Sequence, residues 1–214
     1  MEPLVVALAK GRLAKQTIVI LERMGITCKE MEQKSRKLIF ESNDKNYQFF
    51  LAKASDVPTY VDYGACDLGI VGKDTIAEEA RHVYEVLDLG YGACKMVISG
   101  EKSKKALLEG AKHIRVATKY PVITKAYFEQ KSKNVEIIKL NGSVELGPIV
   151  GLSDVIVDIV ESGATLKENG LVVLEEMMAL SARVIVNPAS MKVKNKSIKT
   201  FIQAMEKVLK EVET

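Results

Sequence analysis

Histidine and cysteine are scarce in this chain of 214 residues, which holds 2 of the first and 3 of the second. His82 and His113 both lie in polar stretches just before apolar runs and read as surface residues. Cys28, Cys66 and Cys94 are odd in number and widely spaced, which argues against a disulfide framework or a paired metal-ligand pattern and leaves reduced packing residues. No nucleophile elbow, Walker loop or dinucleotide glycine fingerprint occurs. There is no apolar run long enough to cross a bilayer. The opening Leu4–Leu8 segment meets Lys10-Gly11-Arg12 too soon to be the core of a signal peptide, so a cytoplasmic protein is expected. Charge of one sign is missing too. The 31 basic and 28 acidic residues leave a net +3, too balanced to suggest a nucleic-acid binder.

What the chain has is alternation. Strands are expected at Leu4–Leu8, Leu38–Phe40, Tyr47–Ala52, Cys66–Val71 and Val83–Leu89, with Asn43–Asn46 as a hairpin turn. An amphipathic helix fits Leu13–Met24, closed by Gly25, and another starts at Asp56 with Pro58 in its first turn. Asp74 either caps a helix beginning near Thr75 or faces a ligand. Gly90-Tyr91-Gly92 suits a crossing into a second α/β unit. That unit has strands at Cys94–Ser99, Ile114–Ala117, Val135–Leu140, Val155–Val160 and Leu171–Met177, and helices at Lys102–Glu109, Val122–Lys131 and Val144–Leu152. Arg183–Val186 brings the chain back, and Ile198–Val212 closes it as an amphipathic helix. The expected fold is α/β, with two lobes joined by two crossing strands. Residues 1–91 and 184–214 form one lobe, residues 92–183 the other, with a ligand cleft between them.

The most informative stretch is Asp154–Leu166, D-V-I-V-D-I-V-E-S-G-A-T-L. Its β-branched run reads as a strand buried on both faces, as in a parallel sheet, interrupted by Asp158. Glu161, Ser162, Gly163, Ala164 and Thr165 then form either an ordinary tight turn or a nest whose backbone N–H groups converge on an anion. Lys10-Gly11-Arg12 follows the first strand, where open α/β sheets bind ligands; a solvated loop is the other reading of those charges. An acid beside a phosphate-sized loop, with cations at strand ends, fits displacement of an anionic leaving group from a sugar phosphate.

The run L-N-G-S-V-E-L-G-P-I-V-G-L-S-D-V-I-V-D-I-V-E-S-G-A-T-L, Leu140–Leu166, resembles the signature of the ATP phosphoribosyltransferase family. Further matches are A-K-G-R-L at Ala9–Leu13, S-R-K-L-I-F at Ser35–Phe40, A-S-D-V-P-T-Y-V at Ala54–Val61 and G-A-C-D-L-G-I-V-G-K-D at Gly64–Asp74. A-T-K-Y-P at Ala117–Pro121 and A-R-V-I-V-N at Ala182–Asn187 complete the series. The resemblance implies a type II periplasmic-binding-protein-like fold and transfer of the phosphoribosyl group of phosphoribosyl pyrophosphate to N1 of the adenine of ATP, releasing pyrophosphate. It implies that Glu161–Thr165 hold the 5-phosphate, with the backbone of Glu161 rather than its carboxylate facing it. Asp158 and Glu145 would face the ribose hydroxyls or Mg²⁺. Arg12 and Arg36 would act on the charge developing on pyrophosphate, helped by Lys10 and Gly11, and Asp74 would accept from the adenine amino group. Lys53 stands where the family often has Arg; it keeps the charge but lacks the bidentate fork. The chain resembles the short form, which implies a catalytic dimer assembling into a hetero-octamer with a histidyl-tRNA-synthetase-like regulatory subunit.

Two rivals are weighed against this. A nucleobase-salvage phosphoribosyltransferase usually carries two adjacent acids on this strand, whereas Asp158 is followed by Ile159. A cytoplasmic ligand sensor would share a two-lobed layout.

Overall fold

The computed structural model describes residues 2–31, 37–110 and 113–212. The chain opens with β1 (Leu4–Ala9), α1 (Arg12–Arg23), β2 (Ile39–Glu41), β3 (Tyr47–Ala52), α2 (Val57–Asp62), β4 (Leu68–Gly72), α3 (Lys73–Glu79) and β5 (Tyr84–Asp88). It continues through β6 (Cys94–Gly100), α4 (Lys105–Gly110), β7 (Ile114–Thr118), α5 (Pro121–Gln130), β8 (Val135–Lys139), α6 (Leu146–Ile149), β9 (Val155–Val160), α7 (Ala164–Glu168) and β10 (Val172–Leu180). β11 (Ala182–Val186), α8 (Pro188–Val193) and α9 (Asn195–Val212) end it. Two compact units result, Met1–Gly92 with Ser181–Thr214, and Ala93–Leu180. Ala182 and Arg183, which the sequence reading left in the second lobe, pair with Gly72 and Val71 in the sheet of the first unit.

In the first unit the strand order is β2-β3-β1-β4-β11-β5. β1 runs parallel to β3 and β4, and β11 runs antiparallel to β4 and β5. The near-continuous apolar reading of β1 has a simple cause, since both its faces are covered. Leu4, Val6 and Leu8 pack in the cluster that holds Ile20 and Leu21 of α1 and Phe201 and Met205 of α9. Ala7 and Ala9 point the other way, into a smaller cluster with Val57 and Val61 of α2. The hairpin turn forms because the Asp44 carboxylate accepts from Ser42 Oγ (2.6 Å) and Asn46 N (3.1 Å). Asn187 caps α8 by accepting from Ala189 N and Ser190 N, while its amide donates to Val61 O (2.8 Å) and Asp62 O.

The second unit has the order β10-β6-β9-β7-β8. Its sheet is mixed, which corrects the parallel expectation: β9 is parallel to β7 but antiparallel to β6. β9 is buried on both faces because it is the central strand, and direction does not enter; Val155, Ile156 and Val157 are fully buried. The helix expected over Val144–Leu152 shrinks to α6. Leu152 N bonds back to Gly147 O (2.8 Å) and Gly151 N to Pro148 O (3.2 Å), a Schellman closure that ends it early. α7 packs Leu166 against Ala117 and Ile156, which anchors the turn after β9 to the sheet.

Candidate functional site

In the second unit a pocket of about 280 Å³ is lined by Glu145 and by every residue from Asp158 to Leu166. Seven of the residues that the sequence singled out, Glu145, Asp158, Glu161, Ser162, Gly163, Ala164 and Thr165, therefore surround one cavity. Gly163 is the N-cap of α7 with φ 74°, in the left-handed region. The space beside it is open, the nearest atom to an added Cβ being Val160 Cγ1 at 3.8 Å. Glycine is needed here for the backbone angle rather than for room. α7 has only 5 residues, so individual N–H groups matter more than its dipole. Ala164 N donates to Ser162 Oγ at 3.4 Å, a long bond that an incoming oxyanion can displace.

Asp158 is the electrostatic centre of the pocket. Burial pushes its carboxyl above the usual range; the Ile159 N–H, donating at 2.8 Å, opposes this, the Glu145 carboxylate adds to it, and Lys119 opposes it. Lys119 was not singled out by sequence reasoning. The parallel register pairing Thr118 with Val157 brings the next residue, Lys119, alongside Asp158. Its only sequence signal was its place in the A-T-K-Y-P motif.

The first unit carries the other candidates. Lys10 and Lys53, both exposed, line a second cavity of about 440 Å³ with Phe50 and Tyr60. The Lys10 N–H donates to Ala52 O at 2.8 Å, which ties the ends of β1 and β3 together. Gly11 is the N-cap of α1 and Arg12 its first, exposed residue. Asp74 does not cap α3. Gly72 holds that position and the helix begins at Lys73, so Asp74 sits in the first turn with its carboxylate folded over Gly72. Arg36 lies outside the described residues. Among the described residues no group of three or more His, Cys, Asp or Glu side chains could hold a metal ion, and no helix is long and apolar enough to cross a membrane.

The family described as HisG, ATP phosphoribosyltransferase, matches residues 53–207. A protein of Lachnoclostridium phytofermentans named ATP phosphoribosyltransferase is 60% identical over 215 residues, covering 100% of both chains. This chain belongs to the ATP phosphoribosyltransferase family. Within that family, the ATP phosphoribosyl transferase (HisG:HisZ) complex from Thermotoga maritima contains a chain that superposes with a TM-score of 0.82 at 35% identity, over 97% of this chain and 99% of that one. The periplasmic aliphatic sulphonate binding protein SsuA from Escherichia coli superposes with a TM-score of 0.58 at 13% identity, over 98% of this chain and 73% of that one. This last likeness concerns the fold alone, which is of the type II periplasmic-binding-protein kind. In this member of the ATP phosphoribosyltransferase family, the pocket after β9 is lined by three carboxylate residues, Glu145, Asp158 and Glu161, together with the backbone of the turn into α7.

Proposed function

We propose that this chain transfers the 5-phosphoribosyl group of phosphoribosyl pyrophosphate to N1 of the adenine of ATP, releasing pyrophosphate, as the first step of histidine biosynthesis. The single observation that carries the reading is the pocket lined by Glu145 and Asp158–Leu166 in a chain of this family. Adenine N1 supplies the electron pair for the new bond to ribose carbon 1, and the bond from that carbon to pyrophosphate breaks with its pair leaving on oxygen. Neutral N1 already carries a lone pair, so no strong general base is required, and a site without histidine is chemically sufficient.

The backbone N–H groups of residues 161–165, with the Ser162 and Thr165 hydroxyls, would hold the 5-phosphate, each charge-assisted bond contributing about 1.5–3 kcal/mol. Arg12 and Arg36 would stabilise the charge growing on pyrophosphate, a contribution made in the transition state more than in the ground state. Lys10, Gly11 and Lys53 would bind phosphate oxygens, and Asp74 would accept from the adenine amino group. Mg²⁺ fits the donor set: Glu145 and Asp158 offer hard oxygens whose mutual repulsion a cation relieves, the remaining ligands being substrate oxygens and water. When bound, it would neutralise pyrophosphate charge.

The Thermotoga maritima structure is a HisG:HisZ complex. That likeness supports assembly of this chain with a regulatory subunit; our reading is a catalytic dimer within a hetero-octamer, the regulatory subunit being histidyl-tRNA-synthetase-like, and a cytoplasmic location. The test is an assay with ATP, phosphoribosyl pyrophosphate, Mg²⁺ and pyrophosphatase, with and without that subunit. Phosphoribosyl-ATP is the expected product. Product from free nucleobases instead would support a salvage enzyme, and ligand binding without turnover in the complex would support a sensor. Arg12→Ala and Arg36→Ala are each expected to lower kcat by about 10²–10³-fold.

A further inference from the structure

The helix that opens at Arg12 lacks a side-chain cap. α1 begins after Gly11, which offers no capping side chain, and has no acidic residue in its first turn. Its first main-chain bond, Lys15 N to Gly11 O, is long at 3.3 Å. Further fixation comes from elsewhere in the same unit. Thr17, fully buried, donates its hydroxyl to Leu13 O at 2.8 Å. A hydroxyl has one proton, so the contact of 2.7 Å between Thr17 Oγ1 and the Tyr91 hydroxyl has tyrosine as donor. Tyr91 in turn is anchored through its own backbone, its carbonyl accepting from Ala182 N at 2.9 Å at the start of β11. The neighbouring Gly92 supports the same turn, because a Cβ there would come within 2.7 Å of Leu13 Cδ2.

We propose that Tyr91 is a positioning residue for Arg12, its hydroxyl holding the first turn of α1 in place through Thr17 and the Leu13 carbonyl. The inference rests on the role given to Arg12 above. Burial pushes the Tyr91 phenol up to about 12, so the group remains a donor through the assay range. The ring also lines a cavity of about 360 Å³ beside α1 and α9, so truncation to alanine would enlarge a void; phenylalanine removes only the hydroxyl.

The experiment measures steady-state kinetics and thermal melting of the full chain with its regulatory subunit present, for Tyr91→Phe, Thr17→Val, Thr17→Ser, Arg12→Ala and the Arg12→Ala/Tyr91→Phe pair. Tyr91→Phe is expected to lower kcat by about ten- to a hundredfold with KM for phosphoribosyl pyrophosphate little changed, since sub-ångström placement controls the chemical step. It is expected to add nothing in the Arg12→Ala background. Thr17→Val should reproduce the loss and Thr17→Ser should restore the rate. Losses that multiply with Arg12→Ala, or an unchanged kcat in Tyr91→Phe, overturn the link. A rate unaffected by Arg12→Ala itself sinks the Arg12 assignment and this inference with it. If Tyr91→Phe melts below the assay temperature, Thr17→Val and Thr17→Ser decide, and equal rates from those two overturn it.

Discussion

Ionising Asp158 in the folded protein carries a cost. Burial and the nearby Glu145 raise its pKa, so above that raised value the folded protein carries a penalty that the unfolded chain does not. The sign follows directly. The penalty is full above the raised folded pKa, shrinks as pH falls through it, and is gone below the unfolded value of about 3.9. Asp158→Asn keeps an oxygen for the Ile159 N–H, so the variant is expected to melt higher than the parent at pH 7, with the gap closing towards pH 4. The same change should weaken phosphoribosyl pyrophosphate binding, measured by calorimetry, if Asp158 serves the ribose or its cation. Loss of stability at pH 7 in Asp158→Asn would contradict the electrostatic reading. Cys66 gives an independent residue-level check. Burial raises its thiol to about 12, so it is expected to resist alkylation at pH 7.5 in the native protein and to react once denaturant is added, as mass spectrometry would record.

At the scale of elements, the turn from β9 into α7 depends on Gly163. Alanine there meets open space yet is forced into the left-handed region, at about 1–2 kcal/mol. Gly163→Val adds a branched side chain to the same strain and is expected to abolish phosphoribosyl pyrophosphate binding; unchanged binding would falsify the loop assignment. Asn187 joins α8 to the end of α2. Asn187→Ala removes the cap and leaves Val61 O without its side-chain donor, for about 2–4 kcal/mol in chemical denaturation. Elements of this kind were largely readable from local signals. The hairpin announced itself in Asn43–Asn46, and the β-branched run of β9 marked a buried strand. Sheet direction was not readable, because burial on both faces suits any central strand and says nothing about its neighbours' polarity. Nor was the length of α6, since its early end is set by main-chain bonds to Gly147 that the pattern Leu-Gly-Pro-Ile does not advertise.

At the scale of the whole molecule, histidine feedback tests the assembly. If regulation resides in the partner, histidine is expected to inhibit the reconstituted complex and to leave any activity of the catalytic chain alone unchanged. Inhibition of the isolated chain would place a histidine site within it. The sequence by itself determined the α/β class, the family and the cluster lining the pocket, because the Glu145 motif and the run from Asp158 to Leu166 are close along the chain and local geometry keeps them together. Tertiary structure alone decided what is joined over long separations. It placed Lys119 beside Asp158 through strand register, returned the chain at Ser181 rather than Val184, and bonded Tyr91 to Thr17 across 74 positions. Such contacts depend on which strands and helices become neighbours, and that is settled by packing two covered sheet faces at once rather than by any short segment.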